Sequence, residues 1–394
     1  MKRSFSLRNT LLVAGGTALI AATYGLVRLA YGLFLPDVER DLGLDTTAAG
    51  WVSSGASVLY CVGALVGFLA ARTHPRTLVA VAACTAGIGA TAMAVSPDAV
   101  VFGAGAVVGS TGAGLASPAL VALIDQQVPD GRRGRAQAIV NSGTGPGLAV
   151  AGILALVLLP DWRTAWAVSA AVALATGATV LLAGRRGDPS PAAGDRPDGH
   201  WFRQHAAVLV LATAFGAGSA AVWTYGRAAL VDAGTPAALS VVAWIALGLG
   251  GTCVAATAPW TTRLSARTAW GVTTAAVALA VAALGLVPAV TPVALVACAV
   301  FGWGYTAATG ALIAWTTEID PERAASGTSM LFVTLVLGQA VGSAGAGALV
   351  GGVGTGGTLI VAAVVVALTV SPLLLDPVTG SRRIAVPGHH RDTA

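Results

Sequence analysis

The feature that most constrains this chain is the recurrence of apolar stretches as long as a bilayer core is thick. Twelve of them, at 11–35, 51–71, 77–96, 99–123, 136–159, 165–183, 206–231, 238–260, 269–288, 293–316, 329–350 and 358–375, run nearly free of charge from one end of the sequence to the other. About 20 apolar residues carry a helix across the hydrocarbon core, where only helices and closed barrels satisfy the backbone. Of the 394 residues, 56% are hydrophobic and 10% charged, and the mean hydropathy is +0.79. A soluble domain carries about 25% charged residues, so 22 basic and 17 acidic side chains cannot cover a water-soluble fold of this length. The expected fold is an all-α polytopic membrane protein. A soluble enzyme, a nucleic-acid-binding domain and a secreted disulfide scaffold are excluded.

The basic residues orient the spans. Placing the N-terminus in the cytoplasm puts 18 of 22 on that side: Lys2, Arg3 and Arg8; Arg72 and Arg76; Arg132, Arg133 and Arg135; Arg185, Arg186, Arg196 and Arg203; Arg263 and Arg267; Arg323; and Arg382, Arg383 and Arg391. Only Arg40 and Arg163 fall outside, while Arg28 and Arg227 lie within spans. Basic residues gather in short cytoplasmic loops, and one helix more or fewer would scramble the split. Both termini are expected in the cytoplasm of a multi-pass protein of the inner membrane. The first span follows basic residues as a signal peptide would, but it is too long for one and eleven spans follow.

The segment 184–205 is rich in Pro, Gly and charge and divides six spans from six. It reads as a cytoplasmic linker between a first bundle over 1–183 and a second over 206–375, with a cytoplasmic tail at 376–394. The halves echo each other. Thr23-Tyr24-Gly25 recurs as Thr224-Tyr225-Gly226, each shortly before a membrane arginine; Arg72, Arg76 and Thr77 recur in spacing as Arg263, Arg267 and Thr268; Arg133 matches Arg323. The order of these matches and the linker between them indicate two pseudo-symmetric six-helix bundles, a duplication common in transporters.

At this point the sequence resembles the major facilitator superfamily over nearly its whole length. LPDVERDLGL at 35–44 is similar to the run that closes the family's first helix, and GFLAARTHPR at 67–76 sits where its signature loop belongs. PDGRRGRA at 129–136 is similar to the loop into helix 5, and DWR at 161–163 to the turn before helix 6. Departures are equally visible. Ala71 and His74 replace the signature loop's acidic residue and second glycine, Gly105 replaces the basic residue of drug antiporters, and the antiporter motif survives only as Gly145-Pro146. The resemblance implies alternating access, a central cavity lined by helices 1, 4, 7 and 10, and helices 3, 6, 9 and 12 facing outward. Eleven of the 23 aromatic residues lie in the first set, including Tyr24, Tyr31, Trp223, Tyr225, Trp303 and Tyr305. Trp166 and Trp270, at span ends in the second set, read as interfacial anchors.

Arg28 is the most informative side chain. It lies eight residues below Pro36, about 12 Å at 1.5 Å per residue. A mid-membrane arginine costs about 2.5–3.5 kcal/mol and faces a wet cavity or a partner. Its planar fork suits carboxylate or phosphate; the alternatives are pairing with helix carbonyls and snorkelling. Arg227 is shallower, and a pair with nearby Asp232, snorkelling or substrate contact are open. Together the two resemble, in position only, the paired arginines of organophosphate–phosphate antiporters. Asn141 and Gln339 are polar at depth and read as cavity or interhelical contacts. Asp125 with Arg72 or Arg76, and Glu318 with Arg263 or Arg267, are candidate cytoplasmic gate pairs, the alternative being that these arginines only fix topology.

No Asp, Glu or His lies deep in a span. The reading is therefore a secondary transporter of a small organic solute, an anionic one because the ionised groups at depth are cationic. The rival is a proton-driven efflux pump for amphipathic compounds; a membrane receptor is remote. Cys61, Cys84, Cys253 and Cys298 show no metal-ligand spacing, so neither metal nor cofactor is expected. Its partners are a small-molecule substrate and membrane lipid, with no nucleic acid, and a monomer is expected.

Overall fold

The computed structural model describes residues 7–185 and 199–370, all-helical with no strand among them. We number the spans α1 (Leu7–Leu42), α2 (Thr46–Ala70), α3 (Pro75–Ala94), α4 (Ala99–Gln127), α5 (Asp130–Leu158), α6 (Trp162–Ala183), α7 (Gly199–Asp232), α8 (Ala237–Thr261), α9 (Ala266–Leu286) and α10 (Thr291–Ile319). A last helical stretch, Ala324–Leu368, breaks at Gly354, whose φ of 71° and ψ of 172° no helix contains. It is thus two helices, α11 over 324–353 and α12 over 355–368. The expected twelfth span ran to 375, and its last residues, like the tail 376–394, lie outside the described part. So does most of the expected linker, but its final seven residues, from Gly199, are helical and extend α7.

Local chemistry sets the ends. Asp45, Asp98 and Asp161 cap α2, α4 and α6 by accepting backbone N–H groups, and Ser265 caps α9. Such caps satisfy donors a helix leaves open. Gly43 and Gly234 end α1 and α7 at φ of 64° and 83°, a conformation that favours glycine. They sit at corresponding turns of the two halves, one more mark of the repeat.

In the first half α3 packs on α4 and α6, and α4 on α2; in the second, α9 packs on α10 and α12, and α10 on α8. The halves meet along α2 with α11, α5 with α8, and α1 with α7. Glycines permit the approach: a Cβ on Gly32 would overlap the Trp223 carbonyl, and Gly50 lies against Gly347. Gly145 and Gly152, remnants of the antiporter motif and its surroundings, press on Gly248 and Ile245 of α8. Small residues serve this packing because lipid supplies no hydrophobic force between helices. Outward, Val157 and Leu279 are 74% and 72% exposed, as a lipid-facing surface requires.

Two expectations need correction. Trp166 and Trp270 are fully buried rather than at an outer belt. Trp166 packs on Phe34 and Phe102, while Trp270 packs on Phe215 and donates to the Thr369 carbonyl at 2.9 Å. Each is a pillar inside its half, held by aromatic packing and, for Trp270 alone, by the bond of its indole to a carbonyl.

Candidate functional site

The centre of α1 is unusual. Residues Ala21–Leu29 form a π-helix, and Tyr31–Leu42 resume the α-helix through Pro36. π-Helical insertions recur at functional sites because they re-aim side chains. Here the segment holds Tyr24 and Arg28, and Gly25 within it lies against Gly147 of α5 with no room for a Cβ.

Arg28 reaches the interface between the halves. Its Nη2 donates to Gln339 Oε1 of α11 at 2.9 Å and to Ser57 Oγ of α2 at 3.5 Å, and its guanidinium lies 4.6 Å from the centre of the Tyr60 ring. Tyr60 and Tyr24 share a hydrogen bond of 2.9 Å between their hydroxyls. Gln339 Nε2 donates to the Tyr305 hydroxyl at 2.9 Å. One network therefore runs from Tyr24 through Tyr60, Arg28 and Gln339 to Tyr305, crossing the halves. Behind it stands an aromatic wall: Tyr305 stacks on Phe215, and Trp223 meets Tyr305 and Phe301 edge-on at 5.2 and 5.3 Å. Arg28, Tyr31, Ser53, Ser57, Trp223 and Gln339 line a narrow void of about 30 Å³. Arg28 Nε is buried without a partner, and no carboxylate pairs with Arg28 among the described residues.

Nearer the turn that joins α1 to α2, the halves are sealed. Arg227, 2% exposed, pairs with Asp37 of the other half at 2.5 Å and also donates to the Leu33 carbonyl and to Ser240 Oγ. Arg40 donates to the other oxygen of Asp37 at 3.0 Å. Tyr225 donates across the interface to the Thr46 carbonyl, and Ser53, Thr224 and Ser343 form a hydroxyl cluster. The expected Arg227–Asp232 pair is not made. Asp232 accepts from Thr355 instead, since five residues on a helix turn through about 140° beyond a full circle and point the two side chains apart. Arg227 and Tyr225 thus belong to the seal rather than to the central network.

Toward the face carrying Arg72, Arg132, Arg133, Arg263 and Arg323 the halves part. Residues Val254–Thr261 of α8 include none that is buried, although the preceding part of α8 buries Trp244, Leu247 and Gly248. The helices break where they part, α5 at Ser142–Gly143 and α8 at Cys253. Asn141, at the α5 break, is exposed and accepts from Ser117. Trp303 Nε1 donates to Thr257 on the opened stretch of α8.

The candidate gate residues engage the following groups. Arg76, with Arg8, donates to carbonyls at the end of α6, Gly184 and Ala183 among them. These are helix C-terminal carbonyls, where a cation is favoured. Asp125 accepts from Gln137 at 2.7 Å and feels Arg133 and Arg72 electrostatically. Glu318 accepts the Ala266 N–H at the start of α9, Arg267 lies over Trp315 at 5.3 Å, and Arg263 is exposed. Sequence reasoning missed Tyr60, Ser57 and Asp37's partner. Tyr60 is the one aromatic residue in the middle of α2, a signal that attention to helices 1, 4, 7 and 10 passed over.

A family model described as Major Facilitator Superfamily matches residues 17–343. Among solved structures, the nucleoside transporter NupG aligns with a TM-score of 0.77 at 13% identity, covering 94% of this chain and 100% of that one. The xylose transporter XylE from E. coli, in a partially occluded inward open conformation, gives 0.72 at 13%, with 94% and 98% covered. A bacterial homologue of the human lysosomal transporter Spinster, inward-facing and unoccupied, gives 0.70 at 15%, with 94% and 96% covered. At these identities the likeness is one of fold. A comparison with curated proteins finds no match.

Proposed function

The chain belongs to the major facilitator superfamily, and we propose that this multi-pass membrane transporter carries a small organic anion by alternating access, with Arg28 as the anion-binding group. The observation that carries the reading is Arg28 itself: a cation between the halves, on a π-helical segment, facing aromatic rings and amide and hydroxyl groups but, among the described residues, no carboxylate. A cation kept at depth without a counter-ion is costly unless a ligand supplies the charge. With the arginine-rich loops in the cytoplasm, the seal at Asp37 and Arg227 is the outer gate and the parted face opens inward. Both ends of the chain are then cytoplasmic, in the inner membrane.

Proton-driven export of amphipathic compounds is the second reading. The wall of Trp223, Tyr305, Phe301 and Phe215 favours it, since aromatic faces also attract cations. Purified protein in proteoliposomes, assayed for counterflow of carboxylates, phosphate esters, neutral solutes and organic cations with and without a pH gradient, separates the two. Under the anion reading Arg28→Ala loses roughly 10- to 150-fold in affinity, the worth of a hydrogen bond to a charged group, while Arg28→Lys keeps part of it because the charge remains and the fork is lost. Undiminished affinity for an anion in folded Arg28→Ala refutes the assignment.

A further inference from the structure

The central network contains a bond at the arginine nitrogen where a bidentate anion would sit. Arg28 Nη2 donates to Gln339 Oε1, and Gln339, 4% exposed, passes its own N–H to Tyr305. The direction of the amide is dictated: a guanidinium has donors only, so the amide oxygen must face it and the amide nitrogen must face the tyrosine hydroxyl. Gln339 thus offers Arg28 a neutral carbonyl oxygen where a carboxylate oxygen would otherwise sit. The void beside them, about 30 Å³, has room for no more than a water or two. Arg28 Nε has no partner, and a carboxylate that bridges it to Nη2 in a bidentate pair takes the place of the amide at Nη2. The remaining surroundings fix the rest of the ligand. Arg28 is a single positive charge, and among the described residues that line the void a second carboxylate would find no other cation. The indole of Trp223 lines the void as a flat surface, and Val27, Leu29, Ala56 and Ala106 add apolar lining.

We infer that Gln339 is the charge-selecting residue of the central site: its amide oxygen holds, in the empty transporter, the place on Arg28 that the carboxylate of a flat, apolar monoanion takes during transport. The inference rests on the anion reading given above. It also assigns Gln339 a reason to be neutral. A glutamate there would neutralise Arg28 permanently and out-compete the substrate, whereas a glutamine holds the guanidinium in place by a bond weak enough to be exchanged.

The test uses benzoate as the probe, with benzamide as neutral isostere and terephthalate as dianion, and reads binding to purified full-length protein by tryptophan fluorescence and thermal shift. Wild type binds benzoate in preference to the other two. Gln339→Glu weakens benzoate binding by roughly 10- to 150-fold. Gln339→Ala, which removes the competing oxygen, binds benzoate up to roughly tenfold more tightly; it also serves as the second variant should Gln339→Glu unfold at low temperature. Arg28→Gln abolishes binding in every background. Benzoate binding lost in Arg28→Gln but unchanged in Gln339→Glu overturns the role of Gln339 and leaves the anion reading intact. Binding unchanged in Arg28→Gln overturns both. A cooperatively unfolding wild type that binds no benzoate, or binds terephthalate or benzamide as well, overturns the monoanion assignment.

Discussion

Replacing Asp37 by asparagine should open the sealed face. The carboxylate is 5% exposed and joins Arg227 of α7 to α1, whereas Arg40, its other partner, rides on its own helix. Removing one member of a buried pair costs about 3–5 kcal/mol because the other stays buried and charged. Arg227 keeps the Leu33 carbonyl and Ser240, so the lower end, about 3 kcal/mol, is appropriate. That cost falls only on the sealed conformation, since the pair exists only there. At 1.4 kcal/mol per factor of ten, the equilibrium moves about 100-fold toward the conformation parted at this face. A transporter 99% sealed would become an even mixture. Arg227→Gln should do less, because Asp37 retains Arg40 and is not stranded. The double substitution should cost far less than the sum of the two, as members of one pair do. Spin labels on cysteines replacing Val100, which is 80% exposed, and Ala238, exposed on the other half, report the separation in a background free of native cysteines. A second, longer distance should appear in Asp37→Asn. The same distribution in Asp37→Asn as in wild type, or a larger shift in Arg227→Gln, would refute the latch.

Other expectations follow from close contacts and loops. Gly32→Ala pushes a methyl group into the Trp223 carbonyl; it should populate the same longer distance without altering any charge, and an unchanged distribution would mean that α1 and α7 do not need this approach. Asp125→Asn keeps an acceptor for Gln137, so its melting temperature should stay close to wild type, while Asp125→Ala, which loses the bond, should fall by an amount equivalent to about 0.5–1.5 kcal/mol; equal losses in both would show that the charge rather than the bond matters. Single cysteines placed in 190–200 of a cysteine-free protein should react with impermeant reagents only from the cytoplasm, and labelling of intact cells from outside would invert the topology.

Much of the architecture could be read directly. Twelve spans and their duplication follow from charge-free length and from the order of the TYG and arginine matches, while the choice of cavity helices is what the family resemblance implies. Four residues that the sequence singles out meet in one network: Arg28 and Gln339, chosen for polarity at depth, and Tyr24 and Tyr305, chosen as aromatics of the helices that the resemblance places at the cavity. What resisted was pairing. Asp232 is near Arg227 in sequence but on another side of the helix, while Asp37 is 190 residues away and adjacent in space. Arg72, Arg76 and Asp125 share a face by topology, but sequence does not tell that the α6 carbonyls claim Arg76 first. Helix breaks were equally hidden: the π-helical turn at Ala21–Leu29 has no proline and no glycine pair to announce it.

The repeat also explains why two membrane arginines do different work. Aligning Thr23-Tyr24-Gly25 with Thr224-Tyr225-Gly226 sets Arg227 opposite Leu26 and Arg28 opposite Ala229. Two residues turn an α-helix by about 200° and the wider π-helical turn at Arg28 by somewhat less, so the arginines leave roughly opposite sides of corresponding spans, one into the centre and one against α1. The tyrosines diverge likewise, Tyr24 bonding within its half and Tyr225 across to Thr46. As a result α1 carries both functions, Arg28 at the site and Asp37 at the seal, nine residues or about 13 Å apart, and they share no partner. Sites so separated act additively to within about 0.5 kcal/mol. In the absence of substrate, Arg28→Ala removes one bond between the halves and Asp37→Asn another, so their effects on the spin-label populations should multiply. That product is what a rigid α1 gives, with both bonds broken in one opening step; a double variant clearly short of it would mean that site and seal do not open in a single step.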